Sequence, residues 1–283
     1  MSEPTSPDGG ATASSSGRNL PVAIGVGVVL AAVFLGSLFT DARAFVGVIA
    51  LLSVVGVIET GQTFREIGRP LAVPVLLVAI PVMLVGAYRA GTAGLMVGVV
   101  VLLAGAVAWE LAAHARDRVL DTLGTTVFLG LWIGFLASFA VLLLTRPVDG
   151  QVAVLAVCGG AIFGDIGGFV FGSWLGKHRI APTVSPNKTW EGLVGSVVTS
   201  AVLGAIVLPQ VGTLFSSPWV AAGVAGIAAV GGFLGDLTES MLKRDLGVKD
   251  LGRVLPGHGG VLDRVDGILV ALPLGYYLLA LTA

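Results

Sequence analysis

The sequence predicts an all-α protein that crosses a membrane about nine times, and three observations carry that expectation. Hydrophobic residues make up 55% of the chain and charged residues only 12%, against roughly a quarter charged in soluble domains. The runs 19–40, 70–88, 90–109 and 122–145 contain no Asp, Glu, Lys or Arg, and each approaches or exceeds the ~20 residues that a spanning helix needs. The Lys and Arg residues also fall unevenly between the two sets of loops that such spans would create.

Taken in order, residues 1–19 are rich in Ser, Gly, Pro and Thr, too poor in apolar groups to bury a core, and are expected to form a disordered tail. A cleaved signal is the alternative for residues 1–40, but the charged leading segment of such signals is nearly missing. The four charge-free runs supply four spans. The stretch 44–58, between Arg43 and Glu59, is a short fifth. Residues 151–176 form a span with Asp165 inside it. The apolar stretch 192–235 breaks between Pro209 and Pro218 and is read as two spans, and 261–281 supplies the last. The expected organisation is the tail 1–19, N-terminal transmembrane helices over 20–149, and a charge-bearing transmembrane region over 150–283.

With nine spans, thirteen of the sixteen Lys and Arg residues share one side, and only Arg43, Arg89 and Arg146 lie on the other. The positive-inside rule makes the richer side cytoplasmic and puts the C-terminus outside. Part of the bias comes from the loops after the sixth and eighth spans, which carry the charged segments described next. Cys158 is the single cysteine and excludes an intrachain disulfide, and three histidines make a zinc cluster a poor fit.

Three charged segments lie in the second half: "FGDIGG" (Phe163 to Gly168), "SPNKTWEG" (Ser185 to Gly192) and the stretch from Gly235 to Gly267. Ionisable groups at membrane depth are costly and mark function when they line an interior cavity. Snorkelling to water is the alternative. It suits Arg65, Arg69, Arg116 and Arg118, whereas Asp165 and Asp236 favour the functional reading. If the eighth span continues as a helix through Lys243, then Asp236, Ser240 and Lys243 share a face, with Glu239 adjoining it. Asp263 and Asp266, at i and i+3, form a second carboxylate pair behind Gly257, Gly259 and Gly260. Paired carboxylates suit a hard cation such as Mg²⁺, and the interleaved Lys and Arg suit phosphate oxygens. The competing interpretation is an ion-pair network that merely closes the loop. Ser185 before Pro186 has the pattern of a helix start that would aim free N–H groups and Lys188 at an anion. Two other patterns fail. "GSWLGKH" lacks the spacing and the Ser/Thr of a phosphate loop, and "GGFVFG" has no βαβ unit before it.

The combination of Ser240, Lys243, Arg244, Lys249, Asp250, Pro256, His258, Gly259, Gly260, Asp263, Arg264 and Asp266 closely resembles the signature of the phosphatidate cytidylyltransferases, or CDP-diacylglycerol synthases. "FGDIGGFVFGSWLGKHRIAP" and "SPNKTWEG" resemble that family too, so the likeness covers about residues 150–283. Gly168 and Phe169 stand where the family often has Ala-Tyr. The resemblance implies a reaction of phosphatidate with CTP that gives CDP-diacylglycerol and pyrophosphate, at a multi-pass site on the cytoplasmic face of the inner (plasma) membrane, in a homodimer. It implies Asp236 and Asp263 as leading ligands of Mg²⁺, with Asp266 and Asp165 supporting, and a second metal ion is compatible with it. It places Lys188, Lys243, Arg244, Lys249 and Arg264 on phosphates, with Ser185, Thr189 and Asp250 at the substrate site. His258 is a proton shuttle, a phosphate donor or a loop-fixing hydrogen bond. Two alternatives stand beside it: another CTP-dependent lipid enzyme, acting on ether lipids or polyprenols, and a cation transporter using Asp165 and Asp236.

Overall fold

The computed structural model describes residues 20–113, 118–252, 254 and 259–282. The expected tail 1–19, Arg116, Arg253 and His258 lie outside the described residues.

The described chain is almost entirely helical. Helix α1 (Leu20–Thr40) is followed by α2 (Ala42–Glu66), α3 (Val73–Ala112), α4 (Val119–Leu129), α5 (Leu136–Leu144) and α6 (Gly150–Leu175). A two-stranded antiparallel hairpin, β1 (Arg179–Ala181) and β2 (Ser185–Thr189), leads into α7 (Trp190–Val207), α8 (Pro218–Leu246) and α9 (Leu262–Thr282). A π-helical segment, Gly130–Phe135, joins α4 to α5, so that Val119–Leu144 is one continuous span. Seven helices are long and apolar enough to cross a membrane, with a shorter apolar helix at Gly25–Thr40. Large apolar side chains such as Val100, Phe169, Trp174 and Trp219 are exposed on the outside, as expected where lipid replaces water as the solvent. The protein is an all-α polytopic membrane protein.

One helix breaks where the sequence expects a turn between two spans, and another departs from the expectation. α3 is 40 residues long but turns back at Ala90 and Gly91, which have non-helical backbone angles. Gly91 takes φ = 58°, a conformation that a side chain disfavours. A Cβ added to Gly86 would collide with the carbonyl of Gly94, and one added to Gly94 with that of Gly86. The two arms therefore lie backbone against backbone. α2 does not end before Glu59 but runs on to Glu66, with Glu59 only 3% exposed. A charge at that depth is tolerated because both its carboxylate oxygens are hydrogen-bonded.

α6, α7, α8 and α9 pack most heavily on one another. At one end of the bundle, Arg69 pairs with Asp245 at 2.7 Å and the Thr63 hydroxyl donates to the Leu251 carbonyl at 2.9 Å. There too the Arg244 Nε donates to the Val184 carbonyl at 3.4 Å. At another, the Asp149 carboxylate accepts from the N–H groups of Thr213 and Leu214 and from the Thr213 hydroxyl. Those three donors, the Leu214 N–H first, hold the Asp149 carboxyl below its usual 3.8. The loops that the alternating spans assign to one side thus touch one another, and the loops assigned to the other side do the same.

Candidate functional site

The site is built where α8 and α9 approach most closely. A Cβ on Gly235 would collide with the Asp266 carbonyl, so glycine lets the two backbones meet and carries the acidic groups of both helices to one point. α8 does continue through Lys243, as the sequence predicts, and ends at Leu246 with Gly247 in the left-handed conformation, φ = 68°. Asp236 and Glu239 of α8 and Asp266 of α9 each offer a carboxylate oxygen, and these oxygens lie within 4.8 Å of one another.

Cations brace this acidic group from two directions. The Lys188 ammonium, on β2, lies 2.7 Å from Asp236, 3.5 Å from Asp165 of α6, and 5.3 Å from the centre of the Phe233 ring. Burial opposes its charge, but the two carboxylates outweigh that effect and raise its pKa. The Lys243 ammonium sits 2.9 Å from Glu239 and 2.5 Å from Asp263. Asp263 also accepts the Gly260 N–H at 2.7 Å and the Leu251 N–H at 3.3 Å, so its carboxylate ties the start of α9 to the preceding loop. Their i, i+3 spacing predicts that Asp263 and Asp266 act as a pair. The structure instead turns Asp266 toward Asp236 and Glu239, and Asp263 toward Lys243.

The strand before α7 corrects one expectation. The helix begins at Trp190, and Ser185 and Pro186 belong to β2, with Ser185 opposite Ala181. The cap is Thr189, whose hydroxyl accepts the Gly192 N–H at 3.1 Å. Ser-Pro suits an extended strand as well as a helix start, and the Thr189 cap decides between them. Glu191 accepts the N–H groups of Lys177 and His178 and contacts the His178 ring at 2.6 Å, which fixes the hairpin so that Lys188 points inward. Lys249 and Asp250 are exposed on the loop after α8, where Asp250 comes close to Gly259. Arg264 lines a separate apolar cavity between α1, α2, α5, α6 and α9.

Two further residues lie with the predicted ones in the structure, Glu239 in the acidic group and Glu59 on the adjoining loop. Glu239 joins the acidic group directly. Its Oε1 atom is buried and finds no hydrogen-bond partner among the described residues, which is costly unless something positive meets it there. Glu59, from the first half of the chain, accepts the N–H groups of Val254 and Val261, each at 2.7 Å. It thereby holds the middle and the end of the loop between α8 and α9 against α2. An acidic residue inside an apolar run was the available signal for Glu59.

An oxygen-only group of three carboxylates, one with an orphaned buried oxygen, can bind a divalent metal ion. Lysines beside it can meet phosphate oxygens. That combination could hold a metal ion together with phosphate groups, among helices long and apolar enough to cross a membrane.

The sequence comparisons name the class. The profile of the Cytidylyltransferase family matches residues 21–282, and the chain belongs to that family. It is 36% identical to the phosphatidate cytidylyltransferase of Mycobacterium leprae, over 94% of this chain and 89% of the relative. It is 32% identical to the phosphatidate cytidylyltransferase of Mycobacterium bovis, over 95% and 90%. A phosphatidate cytidylyltransferase of Staphylococcus aureus is 46% identical over 110 residues, 39% of this chain and 42% of the relative.

Proposed function

We propose that the protein is a phosphatidate cytidylyltransferase, which converts phosphatidate and CTP to CDP-diacylglycerol and pyrophosphate. One observation carries this most directly: in a chain of the cytidylyltransferase family, Asp236, Glu239 and Asp266 converge beside Lys188 and Lys243. An oxygen of the phosphatidate phosphate bonds to the α-phosphorus of CTP, the bond from that phosphorus to the bridging oxygen breaks, and pyrophosphate leaves. The nucleophile is already an anion, so no strong base is required. The difficulty is electrostatic, because two anions meet and charge grows on the leaving group.

Mg²⁺ would be held by Asp236, Glu239 and Asp266, with Asp165 a supporting ligand by the family likeness alone, and it would supply Lewis-acid neutralisation of the phosphate oxygens. Lys188 has three N–H donors. With two directed at Asp236 and Asp165, the third remains to meet a phosphate. Lys243, held between Glu239 and Asp263, is fixed in position to do the same. The family likeness assigns Arg244, Lys249 and Arg264 to the phosphates of CTP and the lipid, and Ser185, Thr189 and Asp250 to the substrate site. Asp263 acts through Lys243 and the loop, and His258 is assigned to the same loop by the family likeness alone.

On this reading the chain crosses the bilayer nine times, counting α1 and both arms of α3. α6–α9 form the catalytic region, and the site opens to the cytoplasmic face of the plasma membrane, where CTP is dissolved. A homodimer is expected from the family likeness.

The test is incubation of purified protein with labelled CTP and phosphatidate, with and without Mg²⁺. The expected result is labelled CDP-diacylglycerol and pyrophosphate in equal amounts, dependent on the metal. A phosphorylated polyprenol with CDP, or product from ether-linked lipid alone, would replace the assignment with a related enzyme. Ion flux into liposomes with no lipid product would replace it with transport.

A further inference from the structure

Each carboxylate oxygen of Asp263 is held by a loop N–H, and α2 reaches the same part of the loop from the other side. Oδ1 accepts from Leu251 at 3.3 Å and Oδ2 from Gly260 at 2.7 Å. The Thr63 hydroxyl donates to the Leu251 carbonyl at 2.9 Å, and Glu59 Oε2 accepts from Val261, the residue after Gly260, at 2.7 Å. Glu59 and Thr63 are four residues apart on α2 and so share a face. The loop has no slack between these contacts. A Cβ on Gly260 would come within 2.8 Å of the Gly252 backbone, and one on Gly252 would collide with the Glu59 carboxylate. The two limbs of the loop therefore lie backbone against backbone, with Glu59 wedged against them. Just beyond α2, Arg69 pairs with Asp245, two residues past Lys243. The first half of the chain thus grips both elements that carry the Lys243–Asp263 pair, although it contributes neither residue.

We propose that Glu59 and Thr63 are positioning residues for the reaction: through the loop they set the place of Asp263, and through Asp263 the place of the Lys243 ammonium. The inference rests on the cytidylyltransferase reading and adds to it a role for α2. Neither residue has a group left over for substrate. Glu59 is 3% exposed and both its carboxylate oxygens are taken by backbone N–H groups. The single hydroxyl proton of Thr63 goes to the Leu251 carbonyl. Lys243 carries its charge on a flexible four-carbon stem, so the ammonium is placed only as well as Glu239 and Asp263 place it. Glu239 belongs to the same helix as Lys243, which leaves Asp263 as the partner that fixes the ammonium relative to α9. A loop that drifts from α2 takes Asp263 with it. The effect falls on rate, because a cation that meets developing charge must already be in place when the charge appears. A contact that only held the fold together would act whether or not Asp263 were charged.

Thr63→Val tests this with little disturbance, because it removes the hydroxyl and keeps the shape, and Thr63→Ser restores the donor. With CTP, phosphatidate and saturating Mg²⁺, the kcat of Thr63→Val is expected to fall roughly fivefold, the scale of one hydrogen bond. The KM for CTP should move by less than about twofold, as for an interaction expressed in the transition state, and Thr63→Ser should recover most of the rate. In an Asp263→Asn background the same Thr63→Val change should lower kcat by less than about twofold, since residues that act through one another are not additive. Equal factors in the two backgrounds, or an unchanged kcat in Thr63→Val alone, would overturn the proposal. A second measurement needs no turnover: amide hydrogen exchange of the full chain in detergent. Thr63→Val is expected to speed exchange at Gly260 as well as at Leu251, because Asp263 links the two N–H groups. Faster exchange confined to Leu251 and Gly252, or none at either limb, would show that α2 does not set Asp263. Failure of wild-type protein to form CDP-diacylglycerol would instead count against the activity, and the exchange pattern would still decide the role of α2.

Discussion

Lys188 and Asp236 form an ion pair at 2.7 Å, so a residue expected to hold phosphate and a residue expected to hold metal are bound to each other. Removing one changes the other. Lys188→Ala takes away a cation that competes with a metal for Asp236 and Asp165. The Mg²⁺ concentration for half-maximal activity should fall, while the KM for CTP or phosphatidate rises roughly tenfold through loss of a charged hydrogen bond. Asp236→Asn should move the Mg²⁺ curve to higher concentration. Mg²⁺ titrations of both variants read the signs, and two curves moving the same way would separate the pair from the metal.

Asp263→Asn keeps the size of the side chain but removes the charge that Lys243 faces. It also weakens the hold on the Gly260 and Leu251 N–H groups. Turnover should drop by ~100-fold, the upper range for residues that orient groups around a metal, with the protein still folded in detergent. Wild-type turnover at low Mg²⁺ would remove Asp263 from the site.

Glu59→Gln substitutes an amide that offers one acceptor oxygen where two N–H groups, the part-buried one of Val254 and the buried one of Val261, need one each. Leaving one unmet costs about 1–3 kcal/mol, and the loop before α9 should loosen. Thermal stability is expected to decrease, and proteolysis near Val254 to accelerate. Substrate should slow that cleavage more in the variant than in the wild type. Unchanged cleavage would mean that Glu59 does not hold the loop.

Sidedness can be read by labelling. Asp245→Cys, at a position whose side chain is 64% exposed, should react with an impermeant thiol reagent only when the cytoplasmic face is open. Ser216→Cys, exposed near the Asp149 staple, should react from outside intact cells. Both cysteines reacting from one face would break the alternation of spans.

The acidic stripe of α8 was legible in the sequence because an unbroken helix obliges Asp236, Ser240 and Lys243 to share a face. The division of labour between Asp263 and Asp266 was not. It depends on how α9 is turned against α8, and that is set by the Gly235 contact with Asp266, which no spacing along one helix encodes. In the sequence Glu59 marks the end of a span, because an unpaired charge inside one would be costly. Its partners are backbone N–H groups far along the chain, and backbone partners leave no trace in residue type. The helix start at Ser185 was misplaced for a local reason: two possible caps stood four residues apart, and the β-hairpin chose the second.

At the opposite end, the Asp149 staple is sensitive to acid. Its folded pKa lies below the usual 3.8, so its contribution to stability is present above that value and is lost as the pH falls through the folded pKa. Asp149→Asn should lower the Tm at neutral pH, and the gap to the wild type should narrow in acid. A gap that persists at low pH would assign the effect to shape instead of charge.

The turn at Ala90 and Gly91 has a consequence for how the protein is made. Its two arms touch at Gly86 and Gly94 with no room for a lipid between them, so under the proposed nine spans the bilayer receives them as one object that returns the chain to the side it left. A segment of that kind is topologically silent: helices α4–α9 keep the same orientation whether the hairpin enters early, late or not at all. Membrane insertion of the reactive half is thereby insulated from errors in this part of the chain.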